Sequence, residues 1–183
     1  MKKLFIQYKP FFSFLIKFLL FYVVFAFLYS YYLNQYESEN NEVDGITQLV
    51  SKHTNSILIF FGHHAEISQN ETEPSIKLIY QGKYVARIIE GCNGISVMIL
   101  FAAFVFAFSF TVKRTIIYIL LGCLIIYVLN ISRIAMISYA LYYYPKYNEL
   151  LHGTIFPLFI YGVVFLLWVL WVTKFSGYDK KVA

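Results

Sequence analysis

Four runs of mostly apolar residues constrain this chain more than anything else in it. They cover about 11–33, 93–112, 115–142 and 154–173. Each is long enough to cross a bilayer core of ~30 Å, which takes ~20 helical residues. Composition agrees: 60% of the 183 residues are hydrophobic and 14% are charged, against about 25% charged in soluble domains. The expected fold is an all-α membrane protein with four transmembrane helices, forming one membrane domain over residues 1–183. The first run reads as a retained helix rather than a signal peptide. Its apolar core exceeds the usual ~7–15 residues, and bulky, polar SYYLNQYESE stands where a small-residue cleavage site would be.

Charge sets the expected orientation. The net charge is +5, but the bases lie beside apolar runs and form no basic stripe with interleaved aromatics, so nucleic acid is not an expected partner. Lys2, Lys3, Lys9 and Lys17 precede or enter the first run, Lys113 and Arg114 separate the second from the third, and Lys174, Lys180 and Lys181 follow the fourth. Four crossings put all three clusters on one side, which the positive-inside rule makes the cytoplasm. The chain is therefore expected N-in and C-in. Segment 34–90, with eight acids and four bases, and the loop near 143–153 then lie outside.

The outer segment has internal organisation. QYESENNEVDG reads as a polar linker. ITQLVSKHTNSILIFFGH carries apolar residues at Ile46, Leu49, Val50, Ile57, Ile59 and Phe60, as in an amphipathic helix lying on the membrane surface. SQNETEP reads as loop. In IKLIYQGKYVARII, two β-branched and aromatic runs flank a Gly-containing turn, which predicts a small β-hairpin. It leads directly into Glu90-Gly91-Cys92.

Topology brings three polar side chains to one face. Cys92 stands at the outer end of the second run, in the small polar turn Gly91, Asn93, Gly94, Ser96. Free N–H groups and the dipole at a helix N-terminus stabilise a thiolate and bind oxyanions. Arg133 lies 18 residues after Thr115, roughly 27 Å along a helix, and so just inside the outer boundary. Asn130 sits one turn earlier, and Cys123 and Tyr127 continue that stripe. His152 precedes the fourth run. Each has a plain alternative: a core thiol for Cys92, snorkelling for Arg133, an ordinary loop histidine for His152. Cys123 reads as packing. Adjacent His63 and His64, with Glu66, do not share a helix face and are not read as a metal site. Two cysteines are too few for a disulfide framework or a zinc cluster.

GKYVARIIEGCNGI, then NISRI at 130–134, then His152 before an apolar helix, together resemble the exosortase/archaeosortase family of membrane cysteine transpeptidases. The matched core covers roughly 80–170. Short length and the CNGI variant look like an exosortase F-type member. Asn93 stands where Ser is commoner in the family, and Gly153 follows His152 at once. The resemblance implies a bacterial inner-membrane enzyme, active on the periplasmic face, that cleaves C-terminal sorting signals and passes the product to an acceptor through a thioester. It implies Cys92, Arg133 and His152 as catalytic residues, with Asn93, Gly94, Asn130 and Glu90 as orienting or substrate-binding candidates and neither metal nor cofactor. The implied partners are membrane-anchored proteins ending in a short motif, a hydrophobic helix and a basic tail. The bilayer and a small membrane accessory protein are the other candidate partners. Two other classes stay open on the residues alone. One is a non-catalytic assembly or export factor binding a partner through 34–90; the other is a transporter using Arg133 as an anion site.

Overall fold

The computed structural model describes residues 8–36, 41–109 and 111–176. Helix α1 is Lys9–Leu33, α2 Gly45–Phe60, α3 Ile95–Ala107, α4 Val112–Tyr143 and α5 Phe156–Leu170. Strands β1 (Ala65–Gln69), β2 (Ile76–Tyr80) and β3 (Lys83–Ile88) form one antiparallel sheet in the order β1-β2-β3. Among the described residues, three helices are long and apolar enough to cross a membrane: α1, α4 and the helical run Pro145–Phe175 that contains α5. Where a span over 93–112 is expected, the chain forms α3, with 13 residues. That helix rises only about 20 Å, short of the ~30 Å core.

The chain divides into two compact units. The first comprises 1–30, 95–125 and 163–183, the second 31–94 and 126–162. In the first, aromatic rings do most of the packing. Phe14 lies 4.4 Å from Phe108 and Phe21 4.8 Å from Phe106, centroid to centroid, and Phe104 stacks on Trp168 at 4.4 Å. Side chains such as Phe27, Leu120 and Leu166 are more than 60% exposed. Large apolar groups in that position fit lipid, not water. Gly122 is required by packing, since a Cβ there would sit 2.2 Å from the Phe101 ring.

The second unit holds the sheet. The Asp44 carboxylate caps α2, accepting from Ile46 N at 3.0 Å and Thr47 N at 2.9 Å, which satisfies two of the free N–H groups at the helix start. Helix α2 packs on β1 and β2 through Thr47, Val50, Ser51, Thr54 and Leu58. Of the apolar residues expected on a surface-lying face, Leu49, Ile59 and Phe60 are exposed, while Val50 is buried against the sheet side. Small polar residues allow close approach to the sheet. The second, apolar face is left over for a surface. Leu78, Tyr80 and Ile88 from the sheet join Val50 and Leu58 of α2 and Ile131, Ile134 and Ala135 of α4 in one core.

The predicted hairpin is β2–β3. Gln81 and Gly82 turn it at φ 52° and 73°, the two positive φ values of a turn matched to strand twist. A bulge between Leu78 and Ile79 shifts the register against β3. Strand β1 was expected only as loop at Ser68 and Gln69. It carries little hydrophobic signal because only Ala65 is buried. Pairing with β2 makes it a strand. The all-α expectation therefore becomes a mostly helical protein with a three-stranded sheet.

Candidate active site

Cys92 is positioned by a tight turn, Glu90–Cys92, that follows β3 after one residue. The Cys92 and Asn93 amides donate to Ile89 O at 2.9 Å and Glu90 O at 3.0 Å. Two asparagines fix the turn from opposite sides. Asn130 of α4, itself buried, donates from Nδ2 to the Cys92 carbonyl at 2.7 Å. Asn93, 1% exposed, donates from Nδ2 to Thr47 Oγ1 of α2 at 3.2 Å. Gly94 follows at φ 83°, and a Cβ there would lie 3.2 Å from Asn130 Cγ and Nδ2. The glycine thus serves both an unusual backbone angle and the approach of Asn130. By contrast, a Cβ on Gly91 meets nothing within 4 Å.

One pocket of about 440 Å³ gathers Cys92, Arg133 and His152. One wall is β3, from Tyr84 to Ile88. Another is a single face of α4, formed by Arg133, Ile134, Ile137, Ser138 and Leu141, and Asn148 and His152 complete it. The three- and four-residue spacing of the α4 positions puts them on one helix face. Arg133 is half-buried, and its Nε makes no hydrogen bond among the described residues. A buried donor without a partner is uncommon in native proteins, and the residue that carries it lines the pocket. His152 does not sit in a loop, as expected. It lies in a wide helical turn, Leu151–Ile155, within the run leading into α5, and its side chain is exposed.

Of the seven candidate site residues, three line the pocket and three build its turn. Asn93 and Asn130 hold backbone and framework, and Gly94 makes room for Asn130. The remaining one, Glu90, contributes its carbonyl to the turn and is not a lining residue. Sequence reasoning passed over Arg87, Tyr84, Ser138 and Asn148. Arg87 pairs with the Glu73 carboxylate, which holds Glu73 below its ordinary range and raises the guanidinium further. Arg87 and Cys92 line the same pocket. Its signal was its place five residues before the cysteine on an expected strand. The histidine pair has other partners: His63 Nδ1 is 2.8 Å from Tyr80 OH and His64 Nε2 is 3.7 Å from Glu66. Among the described residues, no group of three or more His, Cys, Asp or Glu could hold a metal ion.

This geometry joins a thiol, a guanidinium and an imidazole in one pocket. A family model described as transmembrane exosortase (Exosortase_EpsH) matches residues 9–173. The chain belongs to the transmembrane exosortases. No curated protein and no solved structure matches it. The matched range takes in every pocket-lining residue of this exosortase, and also α1 and α3. Its reach over nine-tenths of the chain extends the resemblance well beyond the three short motifs.

Proposed function

We propose that this exosortase is a membrane cysteine transpeptidase that cleaves the C-terminal sorting signals of exported proteins. The observation that carries this reading is the common pocket of Cys92, Arg133 and His152. The Cys92 thiolate attacks the carbonyl carbon of the scissile peptide, forming a C–S bond. Charge develops on the carbonyl oxygen, where the Arg133 guanidinium stabilises it. His152 accepts the thiol proton and returns it to the departing amine as the C–N bond breaks. A thioester remains on Cys92. An acceptor amine, or water, then attacks it; His152 takes the proton of the attacking group and the thiolate leaves. The reaction consumes no redox equivalent.

The substrate chemistry follows from the setting. A substrate held by its own hydrophobic helix and basic tail presents its recognition segment at the membrane surface, where β3 and Cys92 meet. The site faces the periplasm of a bacterial inner membrane in this reading, with Lys113, Arg114 and Lys174 on the cytoplasmic side. That orientation requires α3, short as it is, to take the chain across. A small accessory membrane protein fits the exposed apolar face of α2.

The test uses a co-encoded protein ending in a short motif, one apolar helix and a basic tail as reporter. Wild type should release the tail and accumulate a thioester on Cys92. Cys92→Ala, inserted at normal level, should do neither. Normal processing by that variant, or a thioester trapped on Cys123, would sink the assignment. A membrane-impermeant thiol reagent applied to intact cells should label Cys92, which checks the orientation independently.

A further inference from the structure

Strand β3 is an edge strand, paired to β2 on one side only. Among the described residues, no backbone group outside the sheet bonds to it. The other edge differs, because the chain at Asn41 lies beside β1, bonded to Gln69 and Glu71. The Cys92 pocket touches five consecutive residues of β3, Tyr84 to Ile88. Side chains alternate between the two faces of a strand. The bulge opposite Leu78 and Ile79 breaks that alternation within this stretch, and all five residues border one cavity on the strand that has a neighbour on one side only.

Open edges are normally blunted by charge, bulges or cover. Here Lys83 and Arg87 and the bulge opposite Leu78 and Ile79 blunt β3, but among the described residues no further strand pairs with it. Extended peptides that add a strand to such an edge are recognised through main-chain hydrogen bonds. The edge from 84 to 88 spans about 16 Å at ~3.3 Å per residue. It ends four residues before Cys92.

We infer that the exposed edge of β3 binds the recognition segment of the substrate as an added strand, delivering its scissile bond to Cys92. This rests on the transpeptidase reading and deepens it. The ligand is an extended peptide of about five residues, read chiefly by its backbone. The α4 face with Arg133 and Ser138 closes the other side of the groove. Side-chain preference then comes from Tyr84, Ile137 and Leu141, which flank the added strand. A substrate segment that is helical up to the scissile bond could not pair in this way.

Hydrogen–deuterium exchange tests it on full-length Cys92→Ala protein in lipid nanodiscs, with and without the same reporter. Amides between 84 and 88 should exchange about tenfold more slowly or better when the reporter is bound. Those of β1 should be unaffected. A second arm scans proline through the reporter's recognition segment. Processing by wild type should be lost at alternate positions, where the removed N–H faces β3. Unchanged exchange at 84–88 with the reporter bound, or proline effects without a two-residue period, overturns the edge-strand inference. If Cys92→Ala processes the reporter like wild type, the nucleophile reading falls instead, and the exchange result still stands on its own.

Discussion

The two compact units spend their residues differently. The first is built of apolar helix and aromatic rings: Phe14 on Phe108, Phe104 on Trp168, and Tyr118 donating to Leu167 O at 2.7 Å. Among its described residues, the buried polar side chains are Thr115 and Ser176. The second buries Asp44, Thr47, Ser51, Asn93, Asn130 and Ser138, and many of them bond backbone. Apolar packing tolerates sliding and substitution of similar volume. A buried polar network does not, because each member left unpaired costs its own desolvation. The contrast fits a division between anchoring and chemistry: aromatic packing supports helices in lipid, while hydrogen bonds fix the backbone on either side of Cys92.

The comparison can be broken by substitutions in each unit, starting with the largest expected effect. Removing His152 or Arg133 in the second unit should act on rate alone. His152→Ala is expected to slow reporter processing by about 10²–10⁴-fold, and Arg133→Ala by about 10²–10³-fold. Thermal unfolding should stay near wild type in both, because His152 is exposed and the Arg133 Nε has no partner to lose. A large drop in unfolding temperature would make either residue structural.

Next comes the framework. Asn130→Ala leaves the Cys92 carbonyl without its donor and should cost about 1–3 kcal/mol of stability. Processing should fall with it, because the Cys92 carbonyl is no longer held. Asn130→Asp, which offers no amide donor at that distance, should not rescue it. Gly94→Ala, at a positive φ and against Asn130, should cost a similar ~1–3 kcal/mol. Wild-type labelling of Cys92 in both variants would show that the turn keeps its shape without them.

In the first unit, Gly122→Ala drives a methyl into the buried Phe101 ring and should destabilise by about 1–3 kcal/mol. Reporter processing per correctly inserted molecule should remain unchanged. A selective loss of rate there would blur the division between the units.

The smallest effect concerns the sheet surface. Arg87 holds the Glu73 carboxyl below its ordinary value of about 4.3. A depressed carboxyl contributes stability above the unfolded value and loses it as pH falls through the lower folded value. Glu73→Gln should therefore remove a little pH dependence of unfolding in the acid range. At neutral pH its effect should be slight, as for other exposed pairs. It also frees the Arg87 guanidinium, which lines the same pocket as Cys92, so a change in the rate of thiol labelling is the more sensitive readout.

The long apolar helices were legible because burial in lipid writes itself into composition. α1, α4 and the run into α5 appear where twenty or more apolar residues demand them. The hairpin was legible from Gln81-Gly82 between two β-branched runs, and the pocket residues Cys92, Arg133 and His152 from topology plus motif. Chain order and residue type were enough for these, since each states a local preference. The rest depended on contacts between residues far apart in sequence. β1 became a strand only by pairing with β2, and α2 chose Thr47, Ser51 and Thr54 for its packed face over the greasier Leu49 and Ile59. Asn93 met Thr47 across 46 residues and Asn130 met Cys92 across 38. Sequence alone determined a membrane protein and singled out a thiol, a guanidinium and an imidazole that line one pocket. Tertiary structure decided that β3 leaves an open edge beside them, because which side of a strand stays unpaired is a property of the sheet and is written in no single segment.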